Sequence, residues 1–406
     1  MIPIIPIKSA VQQQAHTGIA QKSAVNLSAL PPLSLYIHFP WCVRKCPYCD
    51  FNSHEVRGEI PEQDYLAALR ADLTQSLPLI WGRKVHTVFI GGGTPSLLSA
   101  TGVAQLLSDL RALLPLDADA EITLEANPGT VEAEKFRAFR ANGINRLSLG
   151  IQSFNDHHLK ALGRIHSADE ARRAIDIAQQ HFDNINLDLM FALPQQTLAQ
   201  SHEDIEHALS FSTTHLSLYH LTLEPNTLFA KHPPLLPEDD TAFAMQDMIG
   251  GALQKAGFEH YEVSAYARPG RACKHNLNYW QFGDYLGIGA GAHGKISFAD
   301  RIIRQVKQRH PRTYIDAALA NKAIQTEHEI AINDLPFEYM LNVLRLNHGV
   351  PLSKFTEYTG LPLNMLFEKL TIAQKKGLLE HHLNILQTTP LGQRFLNDLQ
   401  ALFLSD

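Results

Sequence analysis

From Ser34 to about Leu223 the chain alternates short apolar or β-branched runs with longer amphipathic segments. Six runs read as strands: SLYIHF from Ser34, VHTVFIGG from Val85, EITLEAN from Glu121, INRLSLGIQ from Ile144, NINLDLMFAL from Asn184 and HLSLYHLTL from His215. Nearly continuous apolar strands separated by helical periodicity predict βα units on a parallel sheet. Two helices signal their own starts. PEQDYLAALRADLTQSL from Pro61 puts Pro in the first turn, and SADEARRAIDIAQQH from Ser167 has Glu170 three residues after its Ser, the pattern of a capping box. Right-handed crossovers would curl six such units into an open barrel or a doubly wound sheet, and ligands belong at the strands' carboxyl ends in both. Polar residues fall there: Gly91 to Thr94 end the second run, Glu125 the third and Gln152 the fourth, while Asp188 lies within the fifth.

The pattern changes downstream. Residues 261–292 are rich in aromatics and glycine, and helical periodicity returns from about Pro311. FEYMLNVLRL and the segment GVPLSKFTEYTGLPLNMLFEKLTIAQKKGLLE read as a small helical unit, and GLLEHHLNILQTTPLGQRFLNDL as a hairpin followed by a last helix, a winged-helix outline. The expected organisation is a flexible N-terminal arm over 1–33, an α/β core over 34–300 and a mainly helical domain over 310–406 that covers a site or receives a partner. The arm has no acidic residue, is rich in Gln, Ser and Ala, and lacks the layout of a signal peptide.

Composition narrows the classes. With 406 residues, 45% of them hydrophobic, the chain can bury a large core without covalent staples. A formal charge of −6 argues against a general phosphate-backbone binder, so nucleic acid is not an expected partner. No apolar run approaches the roughly 20 residues of a spanning helix, which leaves peripheral contact as the expected form of any membrane association. Four cysteines are too few for a disulfide scaffold, yet three stand close together in WCVRKCPYCDF, residues 41–51. Such clustering points to metal or redox chemistry in a reducing compartment, here the cytoplasm. Cys42, Cys46 and Cys49, spaced C-x3-C-x2-C, can each take one iron of a [4Fe-4S] cube and leave the fourth iron open. Zinc is the rival, but it usually brings a second pair of ligands nearby, and the remaining Cys273 is remote. A cluster ligated wholly by cysteine through Cys273 is a further alternative.

The cysteine loop, with an aromatic residue before its last cysteine and a strand before its first, resembles the signature of the radical S-adenosylmethionine (SAM) superfamily. The resemblance implies a partial (β/α)6 TIM-like barrel in which SAM chelates the open iron. GGGTP, EANP, GIQSF, LGRIHS and LDLMFALP match further stretches. They imply SAM contacts at Tyr36, Tyr48, Phe51, Gly92, Gly93, Thr94, Glu125, Gln152, Arg164 and Asp188. Glycines let a backbone approach its ligand closely, and a carboxylate at a strand end suits ribose hydroxyls.

YIHFPWC, GGGTPSLL, EANPGT and DLMFALPQQT, with the helical C-terminal region, are similar to the coproporphyrinogen dehydrogenase-like branch over nearly everything after the arm. The oxygen-independent coproporphyrinogen III dehydrogenases of that branch carry a further cysteine two positions past the third, where this chain has Phe51. Instead, HNLNYW from His275 resembles the HNxxYW motif of the branch's haem chaperones. That implies a protein that binds haem and transfers it to an acceptor protein, with His275 as a candidate haem ligand and Tyr279 and Trp280 as flat faces for a porphyrin. Oxidative decarboxylation of coproporphyrinogen III is the alternative. The resemblance leaves monomer and dimer both open.

Overall fold

The structure, a computed structural model, describes residues 25–130 and 133–405. Most of the expected arm therefore lies outside the described residues. Six strands occupy the six predicted runs: β1 Leu33–Phe39, β2 Val85–Gly92, β3 Leu116–Ala126, β4 Arg146–Gln152, β5 Ile185–Phe191 and β6 His215–His220. Successive pairs are parallel. Helices such as Glu62–Ile80, Ala100–Leu113, Ala168–Gln179 and Leu198–Ser210 return the chain between them. The capping box at Ser167 and Glu170 forms as expected. Glu62–Ile80 runs past its predicted end and accommodates Pro78 in its last turn. Because these helices cover the sheet, Leu35, Leu124, Leu149, Leu187 and Leu216 are fully buried, each contributing roughly 1.5–3 kcal/mol relative to exposure.

The sheet does not stop at six strands. β7 Glu259–Glu262 and β8 Ala265–Ala267 extend it antiparallel beyond β6. On the other side β9 Asp284–Ile288 lies parallel to β1, followed by antiparallel β10 His293–Ser297, β11 Ile302–Lys307 and β12 Ile324–Glu329. Among the described residues the order is β12-β11-β10-β9-β1-β2-β3-β4-β5-β6-β8-β7. The sheet thus continues past residue 310, where the helical domain was expected to open. β12, IQTEHE, is exposed at every position, so its sequence gives no apolar alternation to read.

Helices Leu335–Val343, Ser353–Thr359 and Phe367–Lys375 then build the small second domain. A wing joins them through the antiparallel bridge between Leu379 and Thr388. Val25 and Leu27 are buried in this domain's core, so residues 25–33 are packed rather than part of an arm. The domain does not cover the strands' carboxyl ends. It packs against helix Lys274–Trp280, which closes the opposite end of the barrel: Phe282 meets Tyr339 edge-on at 5.5 Å, and the Arg345 guanidinium lies 4.2 Å from the Trp280 ring.

Buried charges fasten β9–β12 to the barrel. Lys307 Nζ donates to Asp72 Oδ1 at 2.6 Å, and Tyr314 Oη donates to Asp72 Oδ2 at 2.8 Å. Asp284 accepts from Lys295 and Arg83 at 2.9 and 2.8 Å. Removing one member of a buried pair leaves the other uncompensated. Lys307→Ala is therefore expected to lower the unfolding free energy by about 3–5 kcal/mol. Arg137→Ala, which breaks the solvent-exposed ion pair with Glu134, should cost less than about 1 kcal/mol. Urea titration followed by far-ultraviolet circular dichroism checks both.

Candidate functional site

The chain leaves β1 at Phe39 and enters the cysteine loop, which is closed at its base by a parallel pairing of Trp41–Cys42 with His54–Glu55. Internal bonds shape the loop. Cys49 N–H donates to Cys46 O at 3.2 Å, and Lys45 Nζ donates to the carbonyls of Phe51 and Ser53 at 3.1 and 3.2 Å. Asn52 Nδ2 ties the loop to Ala290 O and Arg309 O at 2.9 and 2.8 Å. Behind it, burial lowers the His38 pKa to about 4, so the imidazole is neutral. Its Nε2 is 2.9 Å from Asn52 O and its Nδ1 2.9 Å from the Tyr36 hydroxyl, which places the proton on Nε2.

Cys42, Cys46 and Cys49 line a cavity of about 460 Å³ at the strands' carboxyl ends. Arg164 Nη1 lies 3.7 Å from Cys46 Sγ, and Ser53 Oγ 3.6 Å from Cys49 Sγ. Burial raises the pKa values of Cys42 and Cys49. β2 delivers the glycines. Gly92, at φ +115°, has no room for a β-carbon, which would fall 2.6 Å from the His38 ring; at Gly93 it would fall 2.5 Å from Trp41 O. The Gly93 and Thr94 amides each donate at 2.7 Å to carbonyls of Phe39 and Trp41, so this stretch runs back along the cysteine strand.

Acidic groups come from the next strands. Gly92 N–H donates to Glu125 Oε2 at 3.0 Å. Burial and the neighbouring Asp188 charge push the Glu125 pKa up to about 8. Burial also raises that of Asp188, opposed by hydrogen bonds from Ser148 and Asn186 at 2.8 and 2.9 Å. Gln152 ends β4 at φ +68°, a conformation that costs a non-glycine residue on the order of 1–3 kcal/mol. Arg164 Nη2 donates to Gly150 O at 2.8 Å, while its buried Nε has no partner.

Tyr48, Phe51, Gly92, Gly93, Thr94, Glu125, Gln152, Arg164 and Asp188 thus share the cavity wall with the three cysteines. Tyr36 and His275 do not. Tyr36 sits behind the loop, bonded to His38 and stacked on Phe89 at 6.4 Å. His275 lies on Lys274–Trp280 at the far end of the barrel, 6% exposed, with Nδ1 2.9 Å from Thr87 Oγ1 and its ring 5.1 Å from Phe89. Thr87 is five residues before Gly92 on β2, about 16 Å along the strand at roughly 3.3 Å per residue. The Glu121 carboxylate holds this helix from below, accepting from the amides of Lys274 and His275 at 3.2 and 3.1 Å. Cavity residues not singled out from the sequence include Arg44, Met190, Tyr219, His220 and Leu221. The last three follow from the rule that ligands gather at strand ends, applied to β6. A second cavity of about 420 Å³, lined by Arg140, His181, Asp183 and Thr213 among others, holds none of the expected residues.

Comparison with known proteins agrees with this layout. The radical SAM superfamily matches residues 36–208, and the HemN C-terminal domain matches residues 331–395. Over 379 residues the chain is 49% identical to the heme chaperone HemW of Escherichia coli, covering 93% of this chain and 99% of that protein. The Bacillus subtilis heme chaperone HemW is 35% identical over 382 residues, covering 92% and 99%. Among solved structures, coproporphyrinogen III oxidase (HemN) from Escherichia coli, a radical SAM enzyme, superposes with a TM-score of 0.79 at 24% identity, covering 92% of this chain and 90% of that one. That match shows a common fold, a radical SAM barrel followed by a small C-terminal domain. With identities of this size over nearly the full length of both partners, the chain belongs to the HemW family, within the radical SAM superfamily.

Proposed function

We propose that the protein binds haem and transfers it to an acceptor protein, on a scaffold that also holds a [4Fe-4S] cluster and SAM. The observation that carries this reading is the near full-length identity to proteins named heme chaperone HemW. The position of Phe51 agrees with it. Its ring stands 59% exposed on the cavity wall, where the dehydrogenases of the branch would have a further thiol, so the decarboxylase alternative is not favoured.

The cavity suits the two resident cofactors. Cys42, Cys46 and Cys49 line the one cavity, and three thiols without a fourth protein ligand beside them among the described residues suit three irons of a cube whose last iron is left to SAM. Because burial raises the pKa values of Cys42 and Cys49, a cationic metal centre is needed to hold these two as thiolates. The unpartnered Nε of Arg164 and the glycine backbone of β2 offer polar groups to a ligand. In this family such a cluster with SAM supplies one-electron cleavage of the sulfonium. The chain's own residues do the rest. Cys42, Cys46 and Cys49 would hold the cluster, Gly92, Gly93 and Thr94 would hold the methionine end of SAM, and Glu125, Gln152, Arg164 and Asp188 would orient its nucleoside. Tyr48 and Phe51 would shield it from water.

No helix among the described residues is long and apolar enough to cross a membrane. Haem exchange would then take place at the protein's own surface, with any membrane contact peripheral.

Three outcomes are expected. Anaerobic titration of the cluster-loaded protein with haem should give near-stoichiometric binding that survives gel filtration and is depleted by an apo-haemoprotein acceptor; absence of retained haem would overturn the reading. Changing Cys42, Cys46 and Cys49 together to Ala should abolish bound iron and the cluster's visible absorption, as read by iron assay and spectroscopy. The third concerns pH. With its folded pKa of about 8 above the ordinary 4.5, Glu125 contributes stability that is fully present below pH 4.5 and lost as the pH rises through 8. Without added SAM, Glu125→Gln should therefore melt higher than the parent at pH 9 and equally below pH 4.5, by thermal denaturation across that range.

A further inference from the structure

Resting on the reading of the cysteine cavity as the SAM site, we infer that Arg146 is a positioning residue for it. Buried beneath the cavity, its guanidinium supplies the counter-charge for the Glu125 and Asp188 carboxylates and leaves their oxygens to the ribose hydroxyls. Side chains two apart on a strand share a face. Arg146 therefore lies on the face of β4 that carries Ser148, whose hydroxyl donates to Asp188 Oδ2 at 2.8 Å in the cavity wall. The register across the sheet agrees. Thr123 pairs with Arg146 and Glu125 with Ser148, so Arg146 springs from the strand one layer, about 7 Å, below the carboxylates. Its side chain is 2% exposed, and its charge acts on Glu125 and Asp188 above and on Glu121 below.

Arg146 is set apart by touching none of these carboxylates. Among the described residues the other buried lysine and arginine side chains do meet one, Lys295 with Asp284 at 2.9 Å and Lys307 with Asp72 at 2.6 Å. Arg146 forms no such pair, and its Nε, like Oγ1 of its register neighbour Thr123, has no hydrogen-bond partner. Taking a guanidinium out of water is costly, and one that served to fasten the barrel would recover the cost through a forked pair with a carboxylate. A charge held one layer back does what a forked pair cannot. It opposes the burial that pushes both carboxyl groups towards their neutral forms, yet it takes up none of their lone pairs. Glu125 Oε2 accepts the Gly92 amide, and Asp188 accepts from Ser148 and Asn186. Each carboxylate has about four acceptor sites, so room remains for hydroxyls.

The cations on the cavity wall are turned elsewhere. Arg164 is engaged with Cys46 Sγ and Gly150 O, and Arg44 is exposed on the cysteine loop. Below Arg146, burial pushes the Cys273 thiol up to about 12, so that neighbour is neutral. Glu121, the anion on that side, is stabilised by the amides of Lys274 and His275. The upper pair lines space that must stay open to a ligand, where fixed donors are fewer, and so depends more on the field from beneath.

The test uses the full-length, cluster-loaded protein, kept anaerobic and without a reductant so that SAM is bound and not cleaved, with iron content and circular dichroism recorded for every variant. SAM affinity is measured at pH 7 by equilibrium dialysis for the parent, Arg146→Met, Arg146→Lys, Asp188→Asn and the Arg146→Met/Asp188→Asn double variant. Arg146→Met is expected to bind SAM at least tenfold more weakly, and Arg146→Lys, which keeps the charge, to recover most of that loss. The factor lost to Arg146→Met should be smaller in the Asp188→Asn background, where one of the anions it serves is gone. A folded, cluster-replete Arg146→Met that binds SAM within twofold of the parent overturns the assignment, as does an equal loss in both backgrounds. Should Arg146→Met not fold, Arg146→Gln takes its place; if both neutral variants unfold while Arg146→Lys folds, the residue is structural and the assignment falls. In each of these cases the parent's own binding of SAM leaves the reading of the cavity standing. If the parent binds no SAM, that reading falls first and the role of Arg146 with it.

Discussion

The end of β1 is held between two glycine turns that leave no room for a side chain, and the position of the cysteine loop depends on that confinement. On one side a β-carbon at Gly92 or Gly93 would strike the His38 ring or Trp41 O. On the other, a β-carbon at Gly289, at φ +102°, would fall 2.3 Å from His38 O, and one at Gly291, at φ +76°, 2.4 Å from Asn52 Nδ2. Only glycine meets both demands, close approach and a left-handed backbone. The strand can therefore carry its loop to a fixed height between its neighbours, where Tyr65 Oη donates to His38 O at 2.6 Å and accepts from Ala290 N–H at 2.9 Å. The site is built from both halves of the core, since the loop leans on residues 289–291 as much as on β2.

The other end of the barrel is closed by charge and by packing. Arg146 is fully buried near Glu121, and Glu121 in turn accepts from the helix that carries HNLNYW. Asn278 Nδ2 reaches Ser34 Oγ at 2.8 Å, and Leu277 and Trp280 pack into the second domain. This helix is therefore a keystone between sheet and domain. A polar column joins the two ends: Tyr261 Oη to His215 Nε2 at 2.8 Å, His215 Nδ1 to Asn186 Oδ1 at 2.6 Å, and Asn186 Nδ2 to Asp188 Oδ1 at 2.9 Å. Each buried polar atom along it has a partner, as a low-dielectric interior demands.

What could be read from the sequence was what local patterns encode. The six strands follow from apolar runs buried on both faces, the helix start at Ser167 from a capping box closed within four residues, and most of the cavity wall from the rule that polar groups at strand ends share a site. Features fixed by distant partners were not legible. β12 is polar after Ile324 and exposed throughout, so nothing in IQTEHE separates it from a loop until β11 supplies its ladder. Val25 and Leu27 sit in an otherwise polar segment and take their burial from the second domain. HNLNYW reads as a ligand motif because its residues are chemically versatile. Its surroundings come from Thr87 and Glu121, more than 150 residues away in sequence.

Placing the second domain against the keystone helix has a consequence for the cavity. A catalyst that handles a radical gains by excluding water and closing over its substrate, and a domain seated over the strands' carboxyl ends would serve that purpose. Here all the residues lining the cavity lie between Cys42 and Glu224, and the second domain contributes none of them. The same barrel and small C-terminal domain superpose on a radical SAM enzyme, so this placement does not by itself separate a catalyst from a carrier. It leaves the strands' carboxyl ends open to an approaching partner, and exchange there requires no movement of the second domain.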